Sequence, residues 1–312
     1  MSTYWETKLP EHLSIQQHET GLSVYEPRPK HVADLLWETV KRVPEQTALV
    51  FENKQMTYAE LGEKVKRVAY HLQNKYKVKK GERVALLLGN GLYYPICFFA
   101  IAHIGALSVP LNVRLSPDEI KYELIKSQYR ILIAENEYWD SISSHFQNIN
   151  QLDKIIVTKK INNGEKLFSE LTRPCDKEPV MPEILETEPC SIFFTSGTTG
   201  HPKGALLTHL GFVAVTFQLH AKDSTLMMVP MFHITGMLQF LGAIYTGIPI
   251  YMIRSYQTEQ VLELIERHQP SILVGVPTMY WFMLSSKQFK KETFANVRAL
   301  LYGGAPDRKS VV

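Results

Sequence analysis

Ten consecutive residues, Thr195-Ser-Gly-Thr-Thr-Gly-His-Pro-Lys-Gly204, hold three glycines, four hydroxyls and one lysine directly after the apolar run Ser191-Ile-Phe-Phe194. A strand that runs into such a loop can turn its backbone amides toward a polyphosphate. Glycine permits the dihedrals and the close approach this needs, and the hydroxyls and the ammonium donate to phosphate oxygens. The loop is not a Walker A sequence, because Lys203 is followed by Gly204 and the glycine spacing differs. A solvated Gly/Thr surface turn is the competing reading of such a composition, and the ordered run of ten positions argues against it. His201, inside the loop, is expected to face solvent without a role.

Two further segments combine unusual residues at close spacing. Pro230-Met-Phe-His233-Ile-Thr-Gly236 places one imidazole between a proline and a glycine. A lone histidine is commonly a core residue satisfied by a carbonyl, so His233 gains interest only from its context. Gly303-Gly304-Ala305-Pro306 follows an apolar strand pattern and would let a flat ring approach backbone, or form an ordinary tight turn.

The loop from Thr195 to Gly204 resembles the signature loop of the adenylate-forming superfamily, which includes acyl-CoA synthetases, luciferase-like enzymes and peptide-synthetase adenylation domains. The segment Gly105-Ala-Leu-Ser-Val-Pro-Leu-Asn112, the His233 segment and the Gly303–Pro306 turn resemble three more motifs of that family, in family order. The resemblance implies that Thr195, Ser196, Gly197, Thr198, Thr199, Gly200 and Lys203 cradle the β- and γ-phosphates of ATP. It implies that Gly303, Gly304, Ala305 and Pro306 form a wall against adenine, and that His233 lies beside the carboxylate or thioester as the catalytic-site side chain. The implied reaction joins a carboxylic acid to AMP and passes the acyl group to coenzyme A, with Mg2+ as the nucleotide's counter-ion.

The family's Tyr-Gly-x-Thr-Glu motif, its ribose-binding aspartate and its C-terminal domain with a catalytic lysine have no match in this sequence, so no metal ligand is assigned to the chain. The chain resembles the N-terminal portion of an acyl-CoA synthetase, with activity expected in a longer enzyme. A catalytically inactive remnant with at most weak ATP binding is the alternative, and a luciferase-like enzyme would share every motif. Between Leu226 and Tyr256 there is no carboxylate to pair a substrate ammonium. Burying one there unpaired would be costly, which disfavours amino acids and favours a neutral acyl tail such as a fatty acid. The cluster Tyr280-Trp-Phe282 reads either as the lining of an acyl tunnel or as plain core.

Composition fits a cytoplasmic globular protein. In 312 residues, 34 basic and 31 acidic side chains leave a net charge of +3, without the concentrated basic face that nucleic acid requires. Three cysteines are too scattered for a disulfide framework, and Cys97 and Cys190 sit in apolar runs as expected buried thiols. The apolar stretches Leu92–Leu111 and Met227–Met252 approach the length of a membrane span, yet histidine, glycine and proline punctuate both, so they are read as core. A homodimer or a separately supplied C-terminal half is the expected kind of protein partner.

Strand and helix patterns alternate along the chain, which predicts an α/β fold of layered, mostly parallel sheets with helices on both faces. Val32, Leu35, Leu36 and Val40 mark one helix, and Thr47–Phe51 with Gln55–Tyr58 a hairpin. Thr57 and Glu60 have capping-box spacing before a helix carrying Leu61, Val65, Val68 and Leu72. Ser116-Pro-Asp-Glu119 starts another helix. Arg83–Leu88, Arg130–Ala134, Lys154–Val157, Ser191–Phe194, Leu226–Val229, Ile248–Ile253, Ser271–Gly275 and Val297–Leu301 read as strands. His209–Ala221, capped by Thr208, with Gly236–Tyr245, Glu259–His268 and a short segment after Pro277, read as helices. The proline-rich stretch Ile161–Pro189 suggests a connection between a first subdomain, 1–175, and a second, 176–312, that carries the nucleotide loop.

Overall fold

The computed structural model describes residues 14–146, 155–159, 166–195, 202–216 and 221–303. A ribbon, β1 (Ser14–Gln17) and β2 (Ser23–Glu26), precedes helix α1 (Val32–Arg42) and the hairpin β3 (Thr47–Phe51) and β4 (Lys54–Thr57). Then come α2 (Tyr58–Asn74), β5 (Arg83–Leu87), α3 (Tyr93–His103), β6 (Leu107–Pro110), α4 (Pro117–Ser127), β7 (Ile131–Ala134), α5 (Asn136–Ile142), β8 (Ile155–Val157) and β9 (Lys166–Leu167). The later elements are β10 (Pro189–Thr195), β11 (Lys203–Thr208), α6 (His209–Ala214), β12 (Thr225–Met227), α7 (Ile234–Thr246) and β13 (Ile250–Met252). The described chain closes with α8 (Thr258–His268), β14 (Ile272–Gly275), α9 (Pro277–Ser285) and β15 (Ala299–Tyr302).

Local signals account for where several helices begin. The Thr57 hydroxyl accepts from Glu60 N while the Glu60 carboxylate accepts from Thr57 N, and Ser116 and Glu119 repeat the arrangement at α4. Each pair satisfies two amides that a helix start leaves open. The Thr208 hydroxyl accepts from Gly211 N at the start of α6.

Two large sheets form, in strand orders β11-β10-β6-β5-β7-β8-β9 and β15-β14-β12-β13-β3-β4. All pairings in them are parallel except β10–β11 and β3–β4. Because successive strand residues face opposite sides, each sheet feeds two cores. Val84, Leu86, Ile131 and Ile133 point into a central core shared with Leu49, Met227, Ile250 and Met252, and helices α1, α2, α3 and α7 fill it. The alternate residues Ala85, Leu87, Leu132 and Ala134 meet α4 and α5 on one outer face. Leu226 and Leu273 meet α8 and α9 on the other. The order is therefore helix, sheet, helix, sheet, helix. This is the predicted parallel-rich architecture with helices on both faces.

Helix α3 lies between the sheets and is buried on all sides, with Tyr94 through Ala102 inaccessible. That accounts for the apolar length of Leu92–Leu111, and no helix among the described residues is long and apolar enough to cross a membrane. Cys97 and Cys190 are buried thiols, both pushed up in pKa by that burial. The sheets interleave along the sequence. The early hairpin β3–β4 lies with the later strands and β10–β11 lies with the earlier ones, so a boundary between residues 175 and 176 does not separate the two sheets. The expected helix His209–Ala221 spans only His209–Ala214, and residues 217–220 lie outside the described set.

One buried carboxyl yields a pH signature. Glu123 on α4 is 3% exposed, and burial, with a smaller push from Glu119, raises its pKa from 4.5 to about 7. The folded state therefore keeps this proton longer than the unfolded chain, so its contribution favours folding at low pH and is lost as pH rises from 4.5 through about 7. Glu123→Gln should melt above the wild type at pH 8, with the difference shrinking toward pH 4.5. Parallel melting curves of the two proteins across that range would refute this.

Candidate active site

In parallel sheets, the loops that leave the carboxyl ends of strands are where ligands gather. Here the carboxyl ends of the two sheets are tied to each other by buried polar side chains. Asn90, just after β5, donates through Nδ2 to Val229 O at 3.3 Å and accepts at Oδ1 from Met231 N at 2.9 Å. Tyr94 Oη donates to Met231 O at 3.1 Å. Glu135, directly after β7, accepts from Gly89 N at 2.8 Å and from Arg254 Nη1 at 2.7 and 2.8 Å. Arg254 follows β13, and its guanidinium lies 5.0 Å from the Phe51 ring centre. Burial pushes the Glu135 carboxyl upward in pKa, and Arg254 and the Gly89 amide pull it back.

These contacts set β5 beside β12 and β7 beside β13. Beyond β5 the first sheet continues through β6 to β10, and beyond β12 the second continues through β14 to β15. The end of β10 carries Thr195, and the end of β15 leads to Gly303. Charge coupling agrees with this alignment, because Arg114, after β6, acts on His233, after β12.

Thr195 and Lys203 form the base of a hairpin, paired across β10 and β11 with Thr195 Oγ1 donating to Lys203 O at 3.4 Å. Both side chains are exposed, and Lys203 makes no ion pair among the described residues. No described carboxylate competes with an anion for this ammonium. Tyr122 Oη on α4 donates to Pro202 O at 3.4 Å, just before β11 begins. The predicted site residues Ser196, Gly197, Thr198, Thr199 and Gly200 lie outside the described residues, as do His201 and Gly304, Ala305 and Pro306. Gly303 donates from its N to Gly275 O at 3.3 Å, and a Cβ built on it would meet nothing among the described residues within 4 Å. A planar group could therefore lie against this backbone.

His233 is the N-cap of α7, and its side chain makes no capping bond. The ring reaches solvent and sits 4.7 Å, centre to centre, from Phe232. Partial desolvation, and then the Arg114 guanidinium, hold its pKa below the ordinary value. It is therefore neutral near pH 7 and can offer one donor and one acceptor. It is not a histidine sealed in the core. Gly236 is required one turn later, where a Cβ would stand 2.3 Å from Pro230 O.

Two expectations are corrected. Lys203 and Gly204 belong to strand β11, an exposed edge strand whose lysine and glycine disguise it. Trp281 and Phe282 are neither core nor enclosed lining, because both are about half exposed, at 50% and 48%. Among the described residues only Tyr280 of that cluster is anchored by a side-chain hydrogen bond, its single hydroxyl proton shared between Leu301 O at 2.7 Å and Leu273 O at 3.1 Å. Asn90, Tyr94, Glu135 and Arg254 were not among the predicted site residues. Glu135 had one sequence signal, its place directly after an apolar strand, and Asn90 and Arg254 follow their strands by two or three residues, whereas Tyr94 lies within helix α3.

Residues 36–312 match the family model described as AMP-binding enzyme. The chain belongs to the AMP-binding enzyme family. Among curated proteins it is 31% identical over 287 residues to the 2-succinylbenzoate–CoA ligase of Listeria monocytogenes, covering 89% of this chain and 56% of that protein. It is 30% identical over 273 residues to a feruloyl-CoA synthase of an Amycolatopsis species, covering 84% and 52%. The chain thus spans about half the length of the curated relatives it matches. Among solved structures, the N-terminal domain of FACL13 from Mycobacterium tuberculosis superposes with a TM-score of 0.81 at 26% identity, over 91% of this chain and 72% of that one. The anthranilate CoA ligase AuaEII superposes with a TM-score of 0.79 at 26% identity, over 86% and 54%. The chain corresponds to an N-terminal portion of the adenylate-forming enzymes.

The Glu135–Arg254 pair gives this AMP-binding lobe a mutational signature. Arg254→Met leaves a carboxylate that is only 7% exposed without its partner, so stability should fall by about 1–3 kcal/mol in denaturant unfolding. Adding Glu135→Gln to Arg254→Met should recover part of that loss, since the amide oxygen can still accept from Gly89 N. A double variant no more stable than the single one would contradict the assignment.

Proposed function

We propose that this chain supplies the nucleotide- and acid-handling lobe of a longer ATP-dependent acid–CoA ligase. The observation that carries the reading is the arrangement of Thr195 and Lys203, His233 and Gly303 along facing carboxyl edges of two sheets. An exposed hydroxyl and an unpaired ammonium at a hairpin base suit phosphate oxygens, and the open backbone at Gly303 suits a flat base. Adenylation needs fixed donors around developing negative charge more than it needs proton transfer. A neutral imidazole at His233 fits the orienting of a carboxylate or a thioester.

Among the described residues no group of three His, Cys, Asp or Glu side chains could hold a metal ion. Mg2+ belongs to this reading as the counter-ion of ATP, and coenzyme A as the acceptor of the second step. The phosphate-cradling roles of Ser196, Gly197, Thr198, Thr199 and Gly200, and the adenine wall of Gly304, Ala305 and Pro306, are part of the proposal.

The acid is proposed to lack an α-ammonium, in keeping with the absence of carboxylates from Leu226 to Tyr256. A fatty acid is one such substrate. The named relatives act on other acids, so an aryl acid belongs beside it. A small-molecule acid and coenzyme A are the proposed partners, together with a C-terminal portion that completes the enzyme, and the cytoplasm is the proposed location.

The test is acid-dependent ATP–pyrophosphate exchange by the complete enzyme with a long-chain fatty acid, ferulate, 2-succinylbenzoate, anthranilate and several amino acids. Exchange should appear with at least one of the non-amino acids, and exchange with amino acids alone would overturn the reading. Lys203→Ala should lower that exchange about 100-fold, the order of magnitude for removing one donor to transition-state charge. Unchanged exchange would remove Lys203 from the phosphate site.

A further inference from the structure

The segment from Val229 to His233 has to hold an irregular path between the end of β12 and the start of α7. Pro230 offers no N–H, so a neighbouring strand cannot zip this segment through regular ladder bonds. The side-chain amide of Asn90 takes that place. It carries a donor and an acceptor side by side, and it uses both on the residues flanking the proline, Val229 O and Met231 N. Tyr94 Oη occupies the remaining carbonyl, Met231 O. On the opposite side Gly236 leaves no room, since even a methyl group there would overlap Pro230 O.

The bonds continue without a break to the imidazole's own backbone. His233 N donates to Pro230 O at 3.1 Å, and Met237 N donates to His233 O at 3.0 Å to open the helix. Asn90 is 2% exposed and Tyr94 is wholly buried, so neither can exchange its partners for water. Asn90 is itself held, because the amide of the preceding Gly89 is bound by Glu135, which Arg254 grips from the second sheet. A buried side-chain amide with both ends satisfied is rigid, and leaving either end unmade would be costly.

We infer that Asn90 is a positioning residue for His233, acting through Val229–Met231, with Tyr94 as its second point of support. The inference rests on the reading of His233 as a group that faces the reacting acid. It goes beyond that reading by assigning the imidazole's placement to a side chain on the other sheet. The consequence is that the two sheets cannot shift against each other at their carboxyl edges without moving His233.

The test uses Asn90→Ala and Tyr94→Phe in the complete enzyme, with two independent readouts. The first is the NMR titration of the His233 C2 proton, assigned by its loss in His233→Gln. His233 should titrate closer to 6.5 in Asn90→Ala than in the wild type, and in the same direction by less in Tyr94→Phe. His209, buried elsewhere with its pKa lowered to about 4, should keep its titration and so report an intact fold. The second readout is acid-dependent exchange, where kcat should fall about tenfold in Asn90→Ala with the KM for ATP unchanged. A folded Asn90→Ala protein with unaltered His233 titration and kcat would overturn the inference. Tyr94→Phe keeps the ring volume, so if Asn90→Ala does not fold, an unshifted His233 in Tyr94→Phe overturns it equally. If no acid supports exchange in the wild type, the functional reading fails, while the His233 titration still decides whether Asn90 positions the ring.

Discussion

Buried polar groups that cross from one sheet to the other hold this structure in the form its site requires. Apolar packing could bring the two sheets together at many relative offsets, since it is non-directional and proportional to area. The amide of Asn90 and the Glu135–Arg254 pair accept only one alignment, because each must meet a particular backbone or side-chain group at hydrogen-bond distance. Hydrogen bonds of this kind add little net stability each, and their removal is expensive because the partner is left buried and unpaired. They therefore contribute register more than they contribute energy.

Apolar burial provides the mass behind that register. Period-two alternation along β5, β7 and β12 lets each of these strands serve a central and an outer core at once, and α3 and α7 contribute apolar side chains to the central one. Two sheets with their carboxyl ends together gather the loops of both on one rigidly supported edge. That combination suits a reaction in which a carboxylate and an α-phosphate must be brought into line and the charges around them screened.

Much of this was legible in the sequence, and the parts that were not share a physical reason. Capping boxes at Thr57 and Ser116 are local chemistry, and both form as their spacing implies. The apolar alternation of strands and helices gave the parallel-rich layers. The order of strands in the sheets did not follow, because β3–β4 crosses to the later strands and β10–β11 to the earlier ones through pairings that no local pattern encodes. Strand β11 was hidden because an edge strand exposed on both faces need not alternate, and Lys203-Gly-Ala reads as loop. At the site, composition marked Thr195, Lys203, His233 and Gly303, residues that would touch a substrate. It did not mark Asn90 or Glu135, whose importance comes from partners more than a hundred positions away. Trp281 and Phe282 show the converse error, since aromatic residues in a row suggested enclosure and the helix instead presents them outward.

The interleaving of the sheets also sets a timetable for the nascent chain. Leu49 in β3 finds its partner at Ile250 in β13, about 200 residues later, a separation that makes the second sheet a slow, non-local assembly. At translation rates of about 5–20 residues per second, β3 waits roughly 10–40 seconds for the strand that flanks it. During that interval Leu49 and Phe51, wholly or nearly inaccessible in the folded protein, belong to an unpaired β-hairpin edge. The early hairpin is thus a stretch of chain that chaperones would encounter before the sheet exists, well ahead of any substrate.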